Sequence, residues 1–132
     1  MITRLSPSAL RPVPRSFAGI YTHGTQLAPI TRLVAFSGQI GVTPDGDTPS
    51  DFASQCHQAM DYVEALLAEA ELGASDILRV NYYLTRAADL PTLTEIRQTR
   101  WHSDTPPAVT TLVVAGLASD DLLIEIEVLA GC

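Results

Sequence analysis

The 132-residue sequence is poor in the residues from which most recognisable chemical motifs are built. Two cysteines, Cys56 and Cys132, are too few for a disulfide framework, and neither a CxxC pair nor a Cys/His cluster with zinc spacing occurs. The three histidines, His23, His57 and His102, show no metal-ligand spacing, so no metal is expected and each reads as a surface or helix-face residue. Gly-rich phosphate loops are missing, which excludes the usual nucleotide-dependent enzymes, and without a GxSxG elbow Ser37 is not read as a nucleophile. Positive charge is scarce: eight Lys and Arg stand against fifteen Asp and Glu, a net charge of −7. That is the wrong sign for affinity built on phosphate neutralisation, so neither nucleic acid nor an anionic membrane is an expected partner. Apolar runs such as Leu112 to Ala115 fall far short of the roughly 20 residues that span a bilayer. The N-terminal stretch also lacks the roughly 7–15-residue apolar segment of a secretion signal, which makes the cytosol the default expectation.

What is present reads as one domain over residues 1–132, with 46% hydrophobic and 17% charged residues and no repeat or linker. Ile20 to Pro29 suggests a weak strand or a hairpin around Gly24, and Leu33-Val34-Ala35-Phe36 a strand running into Ser37-Gly38-Gln39. Thr48-Pro49-Ser50-Asp51 offers a helix start. Phe52, Cys56, Met60, Val63 and Leu67 then recur at helical spacing, and Gly73 follows as the left-handed terminator of a helix ending near Leu72. Val80, Tyr82 and Leu84 alternate with Arg79, Asn81 and Tyr83 as a strand does. Asp89 caps a second expected helix, with Pro91 in its first turn, and Trp101 reads as core. Ala108 to Ala115 and Leu122 to Ala130 are strands, giving the order β-β-α-β-α-β-β. Two helices and five or six strands predict an α+β two-layer domain, a mixed sheet with both helices on one face. The bare face would expose more apolar surface than soluble monomers carry, and a closed ring of like subunits would cover it and create clefts at the seams.

Glu125 and Glu127, two apart on a strand, share one face. They are read either as a solvated sheet face or as a pair in which one carboxyl, desolvated at a seam, holds a proton near neutral pH. Ser37-Gly38 could offer a hydroxyl and unhindered N–H groups to a carbonyl or carboxylate, or be a plain strand-ending turn. Thr110 and Thr111 suit a strand whether or not they bind anything, and Tyr21 is equally readable as a cleft hydroxyl or an edge-strand aromatic.

Tyr21, Ser37-Gly38-Gln39-Ile40, the long helix ending in Leu72-Gly73, Pro106-Pro107-Ala108 and Ile124-Glu125-Ile126-Glu127 come in the order seen in the Rid family, also known as YjgF or RidA. The resemblance runs from about Gly19 to Ala130. It implies a chorismate-mutase-like subunit, a homotrimer with three inter-subunit clefts, no cofactor, and hydrolysis of reactive enamines and imines to keto acids and ammonia. By that resemblance Tyr21, Ser37 and Gly38 shape the cleft and Glu125 helps to activate water. The family's carboxylate-gripping arginine, which follows the Pro-Ala pair, is replaced by Val109, followed by Thr110 and Thr111, and an asparagine-type position of the second helix falls on Thr94. Valine cannot replace a bidentate guanidinium.

The expected function is therefore a trimeric Rid-type hydrolase of a small imine, enamine or related carbonyl compound that need not carry an α-carboxylate. Glu125 would act on water and Ser37, Gly38 and Thr111 on the substrate. A non-catalytic sensor that binds a small molecule in the same cleft is the alternative, favoured by Val109 as an apolar floor. A ribonuclease reading, from the family's older description, would need a basic patch from Arg79, Arg97 and Arg100. Whether Arg32 or Arg97 enters the cleft in place of the missing arginine is left open by the sequence.

Overall fold

The computed structural model describes all 132 residues. Its elements are β1 (Ile2–Leu5), β2 (Gly24–Leu27), β3 (Leu33–Ala35), β4 (Gln39–Ile40), α1 (Phe52–Glu69), β5 (Ile77–Leu84), α2 (Leu90–Thr99), β6 (Ala108–Val113) and β7 (Ile124–Gly131). The main sheet runs β3-β7-β5-β6, with β4 lying beside β3 along the same edge of β7. Only β5 and β6 pair in parallel, because α2 carries the chain back between them; every other pairing is antiparallel. The expected α+β fold, two helices on a mixed sheet, is the one observed.

The termini of the helices differ from the sequence reading. Asp51, not Thr48, caps α1: its carboxylate accepts from the Ser54 N–H at 2.9 Å, and that bond holds the Asp51 pKa below its ordinary value. An ionised acceptor at the positive helix end outcompetes a hydroxyl, and Pro49 stays in the preceding loop, where its carbonyl receives the Gln55 amide. At the other end Glu71, not Gly73, takes the left-handed conformation, at φ 57°. The Leu72 N–H reaches back to the Leu67 carbonyl and the Glu71 N–H to that of Ala68, a Schellman closure that Glu71 completes without glycine. Asp89 precedes α2 but does not cap it, since its carboxylate is taken by Arg86 at 2.8 and 3.2 Å.

Of the strand or hairpin expected over Ile20 to Pro29, the strand is the one observed. Gly24 opens β2, whose partner is β1, in a register that pairs Ile2 with Leu27 and Leu5 with Gly24. The sequence reading had no strand at Ile2–Leu5, where local pattern is short and the partner lies twenty residues away in the chain. Trp101, read as core, is only half-buried; it packs against the core's rim and its indole N–H donates to Glu64 at 3.1 Å.

Alternation decides the two faces of the sheet. Val80, Tyr82 and Leu84 of β5 stand opposite Val128, Ile126 and Ile124 of β7, and these six are buried under Cys56, Met60, Val63 and Leu67 of α1 and Leu93 and Ile96 of α2. Their transfer from water is the main stabilising contribution, at about 1.5–3 kcal/mol per large apolar side chain. Gln55 is a buried polar exception with every group used: its amide donates to the carbonyls of Pro49 and Asp121 and its oxygen accepts the Leu123 N–H. On the other face Arg79, Asn81 and Tyr83 line up with Leu129, Glu127 and Glu125, and with Ala108, Thr110 and Leu112 of β6. No helix covers this side. Leu33 and Leu112 on it are 56% and 49% exposed, and an apolar groove runs past Leu27, Ile30, Leu33 and Leu129.

Candidate functional site

The residues singled out from the sequence fall into two groups on opposite faces of the sheet. The first surrounds a cavity of about 270 Å³ on the helix-covered side, at the outer edge of β6. Phe17, Tyr21, Leu90, Thr94, Arg97, Val109 and Thr111 line it. Val109 and Thr111 project there because they pair with the inward-facing Val80 and Tyr82. Tyr21 is held over the start of β6 by its neighbour Thr22, whose N–H donates to the Pro107 carbonyl at 2.9 Å in a bridge to Ala108. Thr94 comes from α2, its hydroxyl donating to the Leu90 carbonyl at 3.2 Å, so that it faces the cavity as an acceptor.

Arg97 is the residue for which the sequence offered no decision. It is 7% exposed and the only buried cationic side chain. Its guanidinium carbon lies 4.8 Å from the centroid of the Tyr82 ring, and its Nε is buried without a hydrogen-bond partner. The ion pairs of the chain are Arg86 with Asp89 and Arg100 with Asp61 and Glu64; Arg97 takes part in none. Burial pushes its pKa down, and Tyr82 and Cys56 oppose that shift, but a guanidinium stays charged at any working pH. Arg32, the other arginine in question, is exposed and donates to the Ala70 carbonyl, away from the cavity.

The second group lies on the uncovered face. Between Ala35, paired with Leu129, and Gln39, paired with Ile126, the three residues Phe36 to Gly38 stand opposite the two residues Glu127 and Val128, which makes a bulge in the β3–β4 edge. The bulge drops Gly38 against the Glu125 side chain, where a Cβ would collide with the carboxylate. Ser37, beside it, is exposed and its hydroxyl is free of bonds within the chain. Glu125 and Glu127 both line a shallow depression with Tyr83, Val114, Gly116 and Leu117, yet they differ in their bonding. One oxygen of Glu127 accepts from the Asn81 amide at 3.0 Å and the Tyr83 hydroxyl at 2.8 Å. Those bonds, Asn81's first, hold the Glu127 carboxyl below its ordinary pKa and fix it as an anion, so it is not the proton-holding member of the pair. Glu125 receives no hydrogen bond from its own chain and is half-buried. Thr110 pairs with Asn81 and thus belongs to this face, apart from Thr111.

The basic patch that a ribonuclease reading requires does not form. Arg79 projects from the uncovered face, Arg97 is buried on the opposite one, and Arg100 is tied up by Asp61, Glu64 and His57. The sequence left open whether Arg97 or Arg32 enters the cleft, although a signal favoured Arg97: in α2 it stands four residues from Leu93 and three from Thr94, on the helical stripe that faces the sheet.

No helix is long and apolar enough to cross a membrane. Residues 14–132 match the family described as Endoribonuclease L-PSP. The 2-iminobutanoate/2-iminopropanoate deaminase of Escherichia coli (strain K12) is 33% identical over 115 residues, which is 85% of this chain and 87% of that protein. A crystal structure of E. coli TdcF with bound serine superposes with a TM-score of 0.71 at 29% identity, covering 96% of this chain and 93% of the other. The fold is closer still to YyfB from Yersinia pestis, a protein of the conserved Rid family, with a TM-score of 0.86 at 22% identity over 99% and 98% of the two chains.

Proposed function

This chain belongs to the Rid family, also described as YjgF and as endoribonuclease L-PSP, and from that premise we propose that it is a deaminase of small reactive imines or enamines that works as a homotrimer. The observation that carries the reading is the contrast between the two glutamates of β7. Glu127 is consumed by Asn81 and Tyr83, while Glu125 is unbonded and seated against Gly38. A carboxylate left free in a half-buried position is available as a general base.

In the proposed reaction a water oxygen bonds to the imine carbon while Glu125 takes one of its protons. Glu125 returns that proton to nitrogen, which gives a carbinolamine. It then carries the remaining hydroxyl proton to the same nitrogen as the C–N bond breaks, so that ammonia leaves and the added oxygen becomes the carbonyl. Imine and water thus become carbonyl compound and ammonia, with no change of oxidation state and no cofactor. Exposed Ser37 and the N–H of Gly38 would bind the developing charge on the substrate, and Thr111 and Tyr21 the far side of the cleft.

Glu125 and the lined cavity face opposite sides of one sheet, so a complete site needs a second copy, whose β3–β4 bulge and Glu125 would be brought to the first copy's β6 edge. The exposed Leu33 and Leu112 and the apolar groove beside Ile30 support such an assembly, because burial of a patch of this kind is favourable. The same separation favours the second reading, a sensor that binds a small molecule without converting it.

Ammonia release from freshly generated 2-aminoacrylate tests the proposal, with light scattering to give the mass in solution. Glu125→Ala is expected to abolish release while the trimer mass is unchanged, and Glu127→Gln to retain it. Full activity in Glu125→Ala, or a wild-type mass of one subunit, refutes the proposal; ligand-dependent thermal stabilisation without any turnover in the wild type selects the sensor.

A further inference from the structure

We infer that Arg97 is the ligand-anchoring cation of this chain, and that its cavity takes a small molecule with one carboxylate on a short apolar body. The inference rests on the deaminase reading only for the fate of the ligand after capture.

Buried arginine is normally held by an acid, because a desolvated charge without a partner is costly. Arg97 has none. Its Nε is orphaned, no carboxylate of its own subunit lines the cavity, and the groups that favour its charge, Tyr82 beneath the guanidinium and the Cys56 thiol, are neutral and leave it without a counter-charge. A planar fork of donors directed at a void with otherwise apolar and hydroxyl walls lacks an anion. The shape of that fork matches a carboxylate, which accepts two parallel N–H bonds. A phosphate dianion would bring two charges to one cation, and no other cation lines the cavity.

The remaining walls describe the rest of the ligand. Phe17, Leu90 and Val109 are apolar, and Tyr21, Thr94 and Thr111 provide hydroxyl oxygens around the rim. A volume of about 270 Å³ lies just under the roughly 300 Å³ at which sites for drug-sized ligands begin, so the body attached to the carboxylate is short. Val109 at the foot of β6 also explains why the cation arrives from α2: Tyr82, buried beneath, supplies the surface on which an arginine from that helix can rest.

The test compares butanoate with its neutral isostere butanamide by isothermal titration of the full chain in its native assembly, using the wild type, Arg97→Met and Arg97→Lys. The wild type is expected to prefer butanoate by about tenfold or more, Arg97→Met to lose the preference, and Arg97→Lys to keep a weakened part of it. A merely structural Arg97 predicts the opposite pattern, with lowered stability in Arg97→Met and no difference between the probes in the wild type. Equal affinity of the two probes for the wild type, no butanoate binding, or a preference that survives in Arg97→Met overturns the inference. Wild-type selectivity alone decides the matter should Arg97→Met not fold. Turnover without butanoate selectivity would sink this inference and leave the deaminase reading standing, whereas selectivity with no ammonia release would do the reverse.

Discussion

Gly38 and Glu125 occupy complementary volumes: the space that a side chain at Gly38 would fill is the space in which the Glu125 carboxylate rests. The bulge in the β3–β4 edge makes this approach possible, and it separates Glu125 in behaviour from Glu127, two residues along the same strand.

Gly38→Ala is therefore expected to displace the Glu125 carboxylate by rotating a flexible side chain, with little cost in stability. Ammonia release should fall by about 10²-fold or more, the usual contribution of a positioned general base. Urea unfolding of the variant, run beside the deaminase assay, checks the pair of outcomes; a large loss of stability with unchanged turnover would contradict the assignment of Glu125.

Val109→Arg places a second guanidinium in the cavity that already holds Arg97. Like charges in a small desolvated space repel, so this variant should bind butanoate no better than the wild type and should unfold at lower urea. Combining it with Arg97→Met leaves one cation on the strand instead of the helix and is expected to recover both properties. The two single variants and the double variant form a cycle, and strict additivity of their unfolding free energies would show that the positions do not share a site.

Asn81→Ala and Tyr83→Phe each remove a donor from Glu127, whose folded-state pKa lies below its unfolded value. A depressed carboxyl contributes stability above its unfolded pKa of about 4.3, and that contribution disappears as pH falls through the folded value. Both variants should be less stable than the wild type at pH 7 and converge on it near pH 3. Denaturation midpoints across that range are the measurement, and a difference that persists at pH 3 would assign the loss to packing instead.

The sequence was most readable where period and burial coincide. Phe52, Cys56, Met60, Val63 and Leu67 announce α1, and the alternation of Ile124, Ile126 and Val128 announces β7, because each pattern reports a face that folding hides from water. It was least readable where a partner distant in the chain decides the outcome. Ile2–Leu5 becomes a strand only because Gly24–Leu27 lies alongside it. The Ser37-Gly38 and Glu125 residues could be picked out from their order in the chain. That they lie across the sheet from Val109 and Thr111 follows from register, which one-dimensional spacing does not encode. The choice between Arg32 and Arg97 stayed open for a related reason: the importance of Arg97 comes from the absence of an acid near it in space, which the sequence does not display.

Strand β6 has β5 on one side and, beyond the single bridge from Thr22 to Ala108, no strand on the other. One wall of the cavity is thus the outermost strand of the subunit's sheet, joined within the subunit to β5 alone. Amide hydrogens from Val109 to Val113 should exchange with solvent ahead of those in β5, and an occupant gripped between α2 and this strand would slow them. A ligand that enters at this margin would then be closed in by the second copy that completes the site, with no lid of its own chain.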